Sequence, residues 1–257
     1  MIEMIEPSTL LILGAVALAA GFIDAVAGGG GMLTVPALLS LGLPPHIALG
    51  TNKLAASFAS ATAAWAYYKK NLFSPRFWIA SFIATLIGAI TGTLIVNLIS
   101  SDGLEKALPL VIFAVAIYTI WHPQPKDEYQ TLPAVTPKFK AKQWLQGTSI
   151  GFYDGIAGPG TGAFWTVSSM ILYRLDMLRA CGLAKAMNFT SNITSLLTFI
   201  ILGQVNFALG LTMGVCLMLG AYIGAHSAIR FGAKFIRPVF VTVVLILAVK
   251  LAWQAWF

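Results

Sequence analysis

The sequence predicts an all-α membrane protein with about six to eight bilayer crossings. Hydrophobic residues make up 58% of the 257 residues and charged residues only 10%, whereas a soluble chain carries about a quarter charged residues. The mean hydropathy of +0.83 is spread along most of the chain. The largest polar stretch, residues 122–142, is too short to bury a core of its own. A soluble core is therefore excluded.

Apolar runs and helix breakers divide the chain into two series with the same order. The first series contains residues 8–27, a glycine break, a short run over 32–41, and long runs over 45–68, 77–99 and 104–121. The second contains residues 143–157, a second break, a short run over 163–173, and long runs over 180–202, 205–229 and 235–256. Each long run is close to the length that a crossing needs.

Short motifs recur between the two series. The matching segments are residues 21–30 and 151–160 at an offset of 130, residues 48–53 and 180–185 at an offset of 132, and the pairs Gly88/Gly92 and Gly220/Gly224. Three matches in the same order predict an internal repeat. We therefore expect a first transmembrane half over residues 1–122, a cytoplasmic linker over 123–142 and a second half over 143–257.

The basic residues predict how the chain is oriented. Twelve of the 16 basic residues form four groups, which are Lys69, Lys70 and Arg76; Lys126, Lys138, Lys140 and Lys142; Arg174 and Arg179; and Arg230, Lys234 and Arg237. The positive-inside rule places all four in the cytoplasm only if each glycine-broken element enters and leaves on the same side. Each half then has three crossings and the second half is inverted, with both termini in the periplasm. The alternative is that each broken element crosses fully, which gives eight crossings and parallel halves.

The two breaks are candidate anion-binding elements. They consist of Gly28, Gly29, Gly30 and Gly31 in the first half, and of Gly158, Gly160, Thr161 and Gly162 around a proline in the second. Consecutive glycines do not propagate a helix, because each costs about 1 kcal/mol relative to alanine. Within lipid, a broken backbone must line protein or water, and its free N–H groups and helix N-termini attract anions. Close helix packing through small residues is the alternative interpretation, and it is the one predicted for the spaced pairs Gly88/Gly92 and Gly220/Gly224.

Two lysines at equivalent repeat positions are the candidate charge partners of an anion. Lys53 and Lys185 lie about 12 Å into their predicted helices. Hydrogen-bonding side chains follow or flank them, namely Ser57 and Ser60 after Lys53, Asn188 and Asn192 after Lys185, and the neighbours Asn52 and Thr51, which point away from the Lys53 face. A cation among hydrogen-bond donors is typical of an oxyanion site. The alternative is that each lysine snorkels to the membrane surface.

Two intramembrane carboxyl groups are the candidate proton carriers. Asp24 and Asp154 each precede a glycine break by four residues. A carboxyl at that depth is either paired, for example with a lysine, or protonated. One hypothesis is that one or both carry a proton that is coupled to anion movement, and the alternative is purely structural pairing.

An inverted repeat with broken helices at matching positions indicates a secondary transporter with a midplane site. The motifs GFIDAVAGGGGMLTVPAL, ALGTNKL, GFYDGIAGPGTG and KAMNFTSNI resemble the TauE/SafE family of sulfite exporters, also called the 4-toluene sulfonate uptake permease family. The resemblance implies a multi-pass protein of the bacterial inner membrane. It also implies proton-linked transport of sulfite, sulfonates, sulfoacetate or similar small anions. The Pro159-Gly160-Thr161 segment departs from the glycines of the first half, so the two breaks are not equivalent.

Three other functions are weighed against a carrier. An anion channel with paired re-entrant elements would have the same symmetry. An intramembrane aspartyl protease would need an aspartate after its glycine motif, where this chain has Thr161. Nucleic-acid binding is disfavoured because basic residues beside membrane spans set orientation. The predicted partners are thus the anion, protons and lipid, with no enzyme activity, cofactor or metal, and a homo-oligomer stays open.

Overall fold

The computed structural model describes residues 7–104 and 132–232, together with 234–236, 238–239 and 242. The predicted long run over 104–121, apart from Leu104, and most of the run over 235–256 lie outside these residues. Eight helices are described, namely α1 (Pro7–Ala27), α2 (Gly31–Ser40), α3 (Pro45–Lys69), α4 (Ile79–Val96), α5 (Pro137–Ile156), α6 (Thr161–Tyr173), α7 (Met177–Ile201) and α8 (Phe207–Phe231). The described part of the chain is therefore helical in the order that the sequence predicts.

Polar caps set the beginnings of the helices in the second series. Helix α5 begins at Pro137, six residues before the predicted apolar run, because the Thr136 hydroxyl accepts a hydrogen bond from Phe139 N at 3.1 Å. The Asp176 carboxylate caps α7 in the same way, and the Asn206 side chain caps α8. Such caps satisfy N–H groups that have no partner within the helix. Helices α5 and α7 therefore begin before the apolar runs that predicted them, whereas α8 begins two residues inside its run and α6 begins without a side-chain cap.

Three of the described helices are long and apolar enough to cross a membrane. They are the Leu10–Ala27 part of α1, α4, and α8. Large apolar side chains project outward from the bundle, including Leu11 at 76% and Ile201 at 85% exposure. In a soluble protein a surface of this kind is rare, whereas in a membrane it faces lipid. The chain is therefore a multi-pass membrane protein.

Helices α3 and α7 pack against each other at the centre of the bundle and run antiparallel. The start of α3 contacts the end of α7, where Gly50 lies against Phe199. Midway, Asn192 Nδ2 donates to Ser60 Oγ at 3.5 Å. At the other end, Gly182 lies against Tyr67. Helices α3 and α7 therefore lie side by side along most of their length.

The outer helices pack as two parallel pairs, α1 with α8 and α4 with α5. Both crossings are formed by glycines that leave no room for a side chain. A Cβ on Gly220 would lie under 3.0 Å from the Leu18 carbonyl of α1, and one on Gly88 would lie under 3.0 Å from the Thr148 carbonyl of α5. Close approach through small residues is the usual way in which membrane helices associate. The predicted packing role of the glycine pairs in α4 and α8 agrees with these contacts.

One end of the bundle carries the basic side chains. Phe139 at the start of α5 stacks on Phe77 and Trp78 before α4 and on Tyr173 at the end of α6, so these helix ends meet. The ends of α3 and α8 and the start of α7 reach the same region. The described basic residues other than Lys53 and Lys185 all lie there, namely Lys69, Lys70, Arg76, Lys138, Lys140, Lys142, Arg174, Arg179, Arg230 and Lys234.

Candidate functional site

Lys53 and Lys185 are buried inside the bundle. Each lies eight residues after the first residue of its helix, α3 or α7. Their side chains are 2% and 1% exposed. They do not reach the surface, so the snorkelling alternative does not describe this structure.

Each lysine pairs with the aspartate that belongs to the other series of helices. Lys53 Nζ donates to Asp154 Oδ1 at 2.8 Å and to the Asp154 carbonyl at 2.5 Å. Lys185 Nζ lies 3.4 Å from Asp24 Oδ2 and also donates to the Asp24 carbonyl. A buried charge is costly unless a partner and hydrogen bonds compensate it. Of the two states considered for the carboxyl groups, the structure has the paired one.

The two glycine breaks meet at this site. Helix α1 ends at Ala27 and α2 begins at Gly31, and the backbone of Gly28 lies against the backbone of Gly162 at the start of α6. Gly28 has φ +79° and Gly158 has φ +88°, in the left-handed region that favours glycine. Two helix N-termini, of α2 and α6, therefore stand next to each other and to the ion pairs.

Polar groups of the breaks bind the same carboxylates. Gly30 N donates to Asp24 Oδ1 at 3.3 Å, and Thr161 Oγ1 donates to Asp154 Oδ1 at 2.9 Å. A Cβ on Gly158 would lie 3.2 Å from Lys53 Nζ, so the lysine lies directly against the break. The first N–H groups of each helix have no intrahelical partner and form a positive end. Ammonium groups and helix N-termini thus converge on two carboxylates of the protein itself.

The two ion pairs are not equivalent. The Asp24 side chain is 17% exposed and lies 3.4 Å from its lysine, whereas the Asp154 side chain is 3% exposed and lies 2.8 Å from its lysine. The Asp154 carboxylate has a hydroxyl donor, whereas the Asp24 carboxylate has a longer bond from a backbone N–H. Asp24 is therefore the more accessible and more loosely held of the two carboxyl groups.

Other predicted site residues of α3 and α7 lie close to the lysines. Asn188 is 4% exposed, and its Nδ2 would lie 2.8 Å from a Cβ on Gly162. Asn192 contacts Ser60 where α3 and α7 cross. Ser57 donates to the Lys53 carbonyl at 2.7 Å, which is a bond within its own helix. Asn188 is the polar side chain of this group that stands at a glycine break.

Thr51 and Asn52 are directed elsewhere. Thr51 Oγ1 accepts a hydrogen bond from Asn206 N at 2.9 Å, before α8, and Asn52 Oδ1 accepts one from Thr34 of α2 at 2.5 Å. The structure does not bring either of them to Lys53 Nζ. Asn52 instead joins α2 to α3.

One participant lies outside the residues singled out in the sequence. Tyr153 OH donates to the Pro159 carbonyl at 2.6 Å and so ties the end of α5 to the second break. The feature of the sequence that could have identified Tyr153 is its position next to Asp154. Two acceptor atoms, Asp154 Oδ2 and Asn188 Oδ1, are buried with no hydrogen-bond partner among the described residues. Buried acceptors of this kind add polarity around the lysines.

Comparison with known proteins identifies the family. The family model for the sulfite exporter TauE/SafE matches residues 13–251. "Probable membrane transporter protein YfcA" of Escherichia coli (strain K12) is 35% identical over 252 residues, which cover 98% of this chain and 93% of that protein. A "probable membrane transporter protein" of Haemophilus influenzae is 36% identical over 249 residues, which cover 96% of each chain. "Probable membrane transporter protein ORF9" of Sinorhizobium sp. is 37% identical over 242 residues, which cover 94% of this chain and 92% of that protein.

No solved structure matches the chain. The family match and the similar relatives span nearly the whole chain, so the resemblance seen in the motifs is confirmed. The family match and the names of these relatives support a general role in membrane transport. The chain belongs to the TauE/SafE sulfite exporter family.

Proposed function

We propose that the protein is a proton-coupled secondary transporter that moves a small sulfur-containing or organic anion, of the sulfite, sulfonate or sulfoacetate class, by alternating access. The observation that carries the proposal is the pair of buried ammonium groups beside two touching glycine breaks. Each ammonium is held by a carboxylate that a substrate anion can replace. The positive helix N-termini favour the same charge.

The proposed coupling of proton uptake to anion binding follows from the charge balance of the site. In the structure each Lys–Asp pair is neutral overall. An anion that takes the place of Asp24 on Lys185 leaves the carboxylate without its partner, and an uncompensated buried charge is strongly destabilising. If the carboxyl takes up a proton as the monoanion binds, the site stays neutral. Asp24 is the better candidate for this role because it is more exposed and less tightly held than Asp154.

The alternating-access part of the proposal depends on an inverted repeat over residues 1–122 and 143–257. It is supported by the antiparallel course of α3 and α7 and by the exchange of partners between the two series, in which Lys53 binds Asp154 and Lys185 binds Asp24. Two helix pairs, α1 with α8 and α4 with α5, also correspond under the repeat. In such transporters one half moves against the other around a midplane site.

We further propose that the basic end of the bundle, with the linker, faces the cytoplasm and that both termini are periplasmic in the bacterial inner membrane. All described Lys and Arg residues outside the buried pairs lie at one end, as the positive-inside rule requires of a cytoplasmic face. This arrangement needs each glycine-broken element to be re-entrant.

Flux measurements on the full chain in proteoliposomes test the function. Uptake of sulfite, sulfoacetate and sulfate is compared with and without an imposed pH gradient, for the wild type, Lys53→Ala and Lys70→Ala. We expect gradient-dependent, saturable uptake of a sulfur anion. It should fall about tenfold or more in Lys53→Ala, since a buried charge contact is lost. It should stay unchanged in Lys70→Ala, which removes an exposed lysine just after the far end of the same helix.

Two further outcomes are informative. Lys53→Ala also leaves Asp154 buried without its cation, so the double variant Lys53→Ala/Asp154→Ala separates folding from transport. If the pair is only structural, the double variant recovers flux as it recovers stability. If the lysine binds substrate, flux stays low. Flux that does not saturate and follows only the electrochemical gradient of the anion would indicate a channel instead.

A further inference from the structure

A basic pocket lies apart from the buried lysines, at the end of the bundle where α5 begins and α6 ends. It has a volume of about 200 Å³ and is lined by Lys138, Lys142 and Arg174, together with Thr136 and Tyr173 among other residues. Lys142 Nζ donates to the Leu172 carbonyl at 3.1 Å and so secures the last turn of α6. Lys138 and Arg174 stand on the other sides of the same pocket.

The electrostatics of this pocket favour an anion. Helix α5 starts at the pocket with no acidic residue in its first turn, so its positive end adds to the lysines. A cation at that position is unfavourable for the helix itself. Among the described residues at this end, the acidic side chain is Asp176, which pairs with Arg179 at 3.4 Å. Among the described residues around the pocket, basic side chains therefore outnumber acidic ones.

The surroundings of the pocket favour an amphipathic anion over a free one. Lys138, Lys142 and Leu145 are spaced by four and three residues on α5, so they share one helix face. Leu145 is 71% exposed, and Ile171 of α6, next to the lining residue Leu172, is 54% exposed. Exposed apolar side chains of this kind can contact an acyl chain, while the basic side chains of the pocket can bind a phosphate.

We propose that this pocket binds the phosphate headgroup of an anionic phospholipid. Basic pockets between transmembrane helices recognise such headgroups, and guanidinium and ammonium groups bind phosphate oxygens with charge-assisted hydrogen bonds. The bound lipid joins the start of α5 to the end of α6, the helix that leads from the second glycine break. The site is separate from the anion-transport site and does not depend on the transport proposal.

Lipid retention by the full-length protein in detergent tests the proposal. The protein is mixed with phosphatidylglycerol or phosphatidylcholine, and bound lipid is counted by native mass spectrometry. We expect the wild type to prefer phosphatidylglycerol. The preference should fall about fivefold for each cation removed in Lys138→Gln/Arg174→Gln. The matched variant Lys69→Gln/Lys70→Gln removes two exposed charges at the same end and should leave the preference unchanged.

Three results would overturn the proposal. One is equal retention of the two lipids by the wild type. A second is equal loss of preference in both double variants, which would indicate a general charge effect. The third is thermal stabilisation by inorganic phosphate alone that matches stabilisation by phosphatidylglycerol, which would make the pocket a site for a free anion. The unfolding temperature of each variant is measured without added lipid, so that a folding defect is recognised.

Discussion

The buried carboxylates Asp24 and Asp154 differ in how tightly the protein holds them. Asp154 is bound by Lys53 Nζ at 2.8 Å and by the Thr161 hydroxyl at 2.9 Å, with a side chain that is 3% exposed. Asp24 lies 3.4 Å from its lysine and is 17% exposed. Proton exchange needs access and a partner that can be released. On the proposed function, Asp24 is therefore the better candidate for proton exchange, and Asp154 is the more firmly held carboxylate.

Neutral substitutions distinguish the two carboxyl groups. Asp154→Asn should destabilise the protein by about 3 kcal/mol or more, because Lys53 is left buried without an anion. Asp24→Asn should cost less, since its pair with Lys185 is longer, at 3.4 Å against 2.8 Å. On the proposed function it should also abolish the dependence of flux on the pH gradient. Thermal unfolding and proteoliposome flux measure the two effects. Equal destabilisation together with equal loss of coupling would show that the two carboxyl groups share one role.

Lysine burial was open to prediction from the sequence, whereas the choice of partners was not. A lysine eight residues inside an apolar helix must be compensated, which identified Lys53 and Lys185. Asp154 lies 101 positions after Lys53, and no local pattern links them. The same limit applies to Asn52, whose bond to Thr34 depends on how α2 folds back along α3.

Substitutions in the glycine breaks are predicted to destabilise the protein through the volume of the added side chain as well as through backbone conformation. Gly28 and Gly42 have φ +79° and +76°, yet a Cβ on Gly28 would meet the backbone of Gly162, whereas a Cβ on Gly42 has open space. Gly42→Ala should therefore cost only the left-handed conformation, about 1–2 kcal/mol. Gly28→Ala should cost more and should abolish flux, because it separates the two breaks.

The two alanine variants are compared by chemical denaturation and by flux in the same vesicles. Gly42→Ala serves as the matched control because it carries the same conformational penalty on the same half of the molecule. If Gly28→Ala unfolds and transports like Gly42→Ala, the contact between the two breaks has no role.

Helix limits were predictable where a breaker is present. Proline and glycine set the start of α3 and the gap between α1 and α2, within a residue or two of the expected positions. The start of α5 was expected at residue 143 and lies at Pro137, because Lys138, Lys140 and Lys142 interrupt hydropathy without interrupting a capped helix. Hydropathy detects burial in lipid, whereas a helix at the membrane surface needs only a cap and a good first turn.

The folded chain relates its two series of helices through equivalent contacts. Gly88 lies against Thr148 and Gly220 lies against Leu18, and both sets of positions follow the offsets seen in the sequence. If the halves are an inverted repeat, Gly88→Leu and Gly220→Leu should be destabilising by similar amounts, since each forces apart one parallel helix pair. Thermal unfolding of the two variants tests this. Gly203→Leu is the control: its side chain would meet open space, so it should cost only the left-handed backbone conformation (φ +69°), about 1–2 kcal/mol. Loss of stability in only one of the pair would contradict equivalent packing.

Membrane sidedness is the prediction that separates the two topologies of the whole molecule. Single cysteines replace Lys70, Lys140 and Arg230 at the basic end, and Gly42 and Gly203 at the opposite end, in a chain whose Cys181 and Cys216 are changed to alanine. With re-entrant glycine breaks, the first three are labelled only from the cytoplasm and the last two only from the periplasm. With fully crossing breaks and parallel halves, positions 70 and 140 are labelled from opposite sides. The structure brings Lys70 and Lys140 to one end of the bundle, because α3 ends where α5 begins. A membrane-impermeant thiol reagent is added to intact cells and to inverted vesicles. We expect it to label cysteines at positions 70 and 140 from the same side of the membrane.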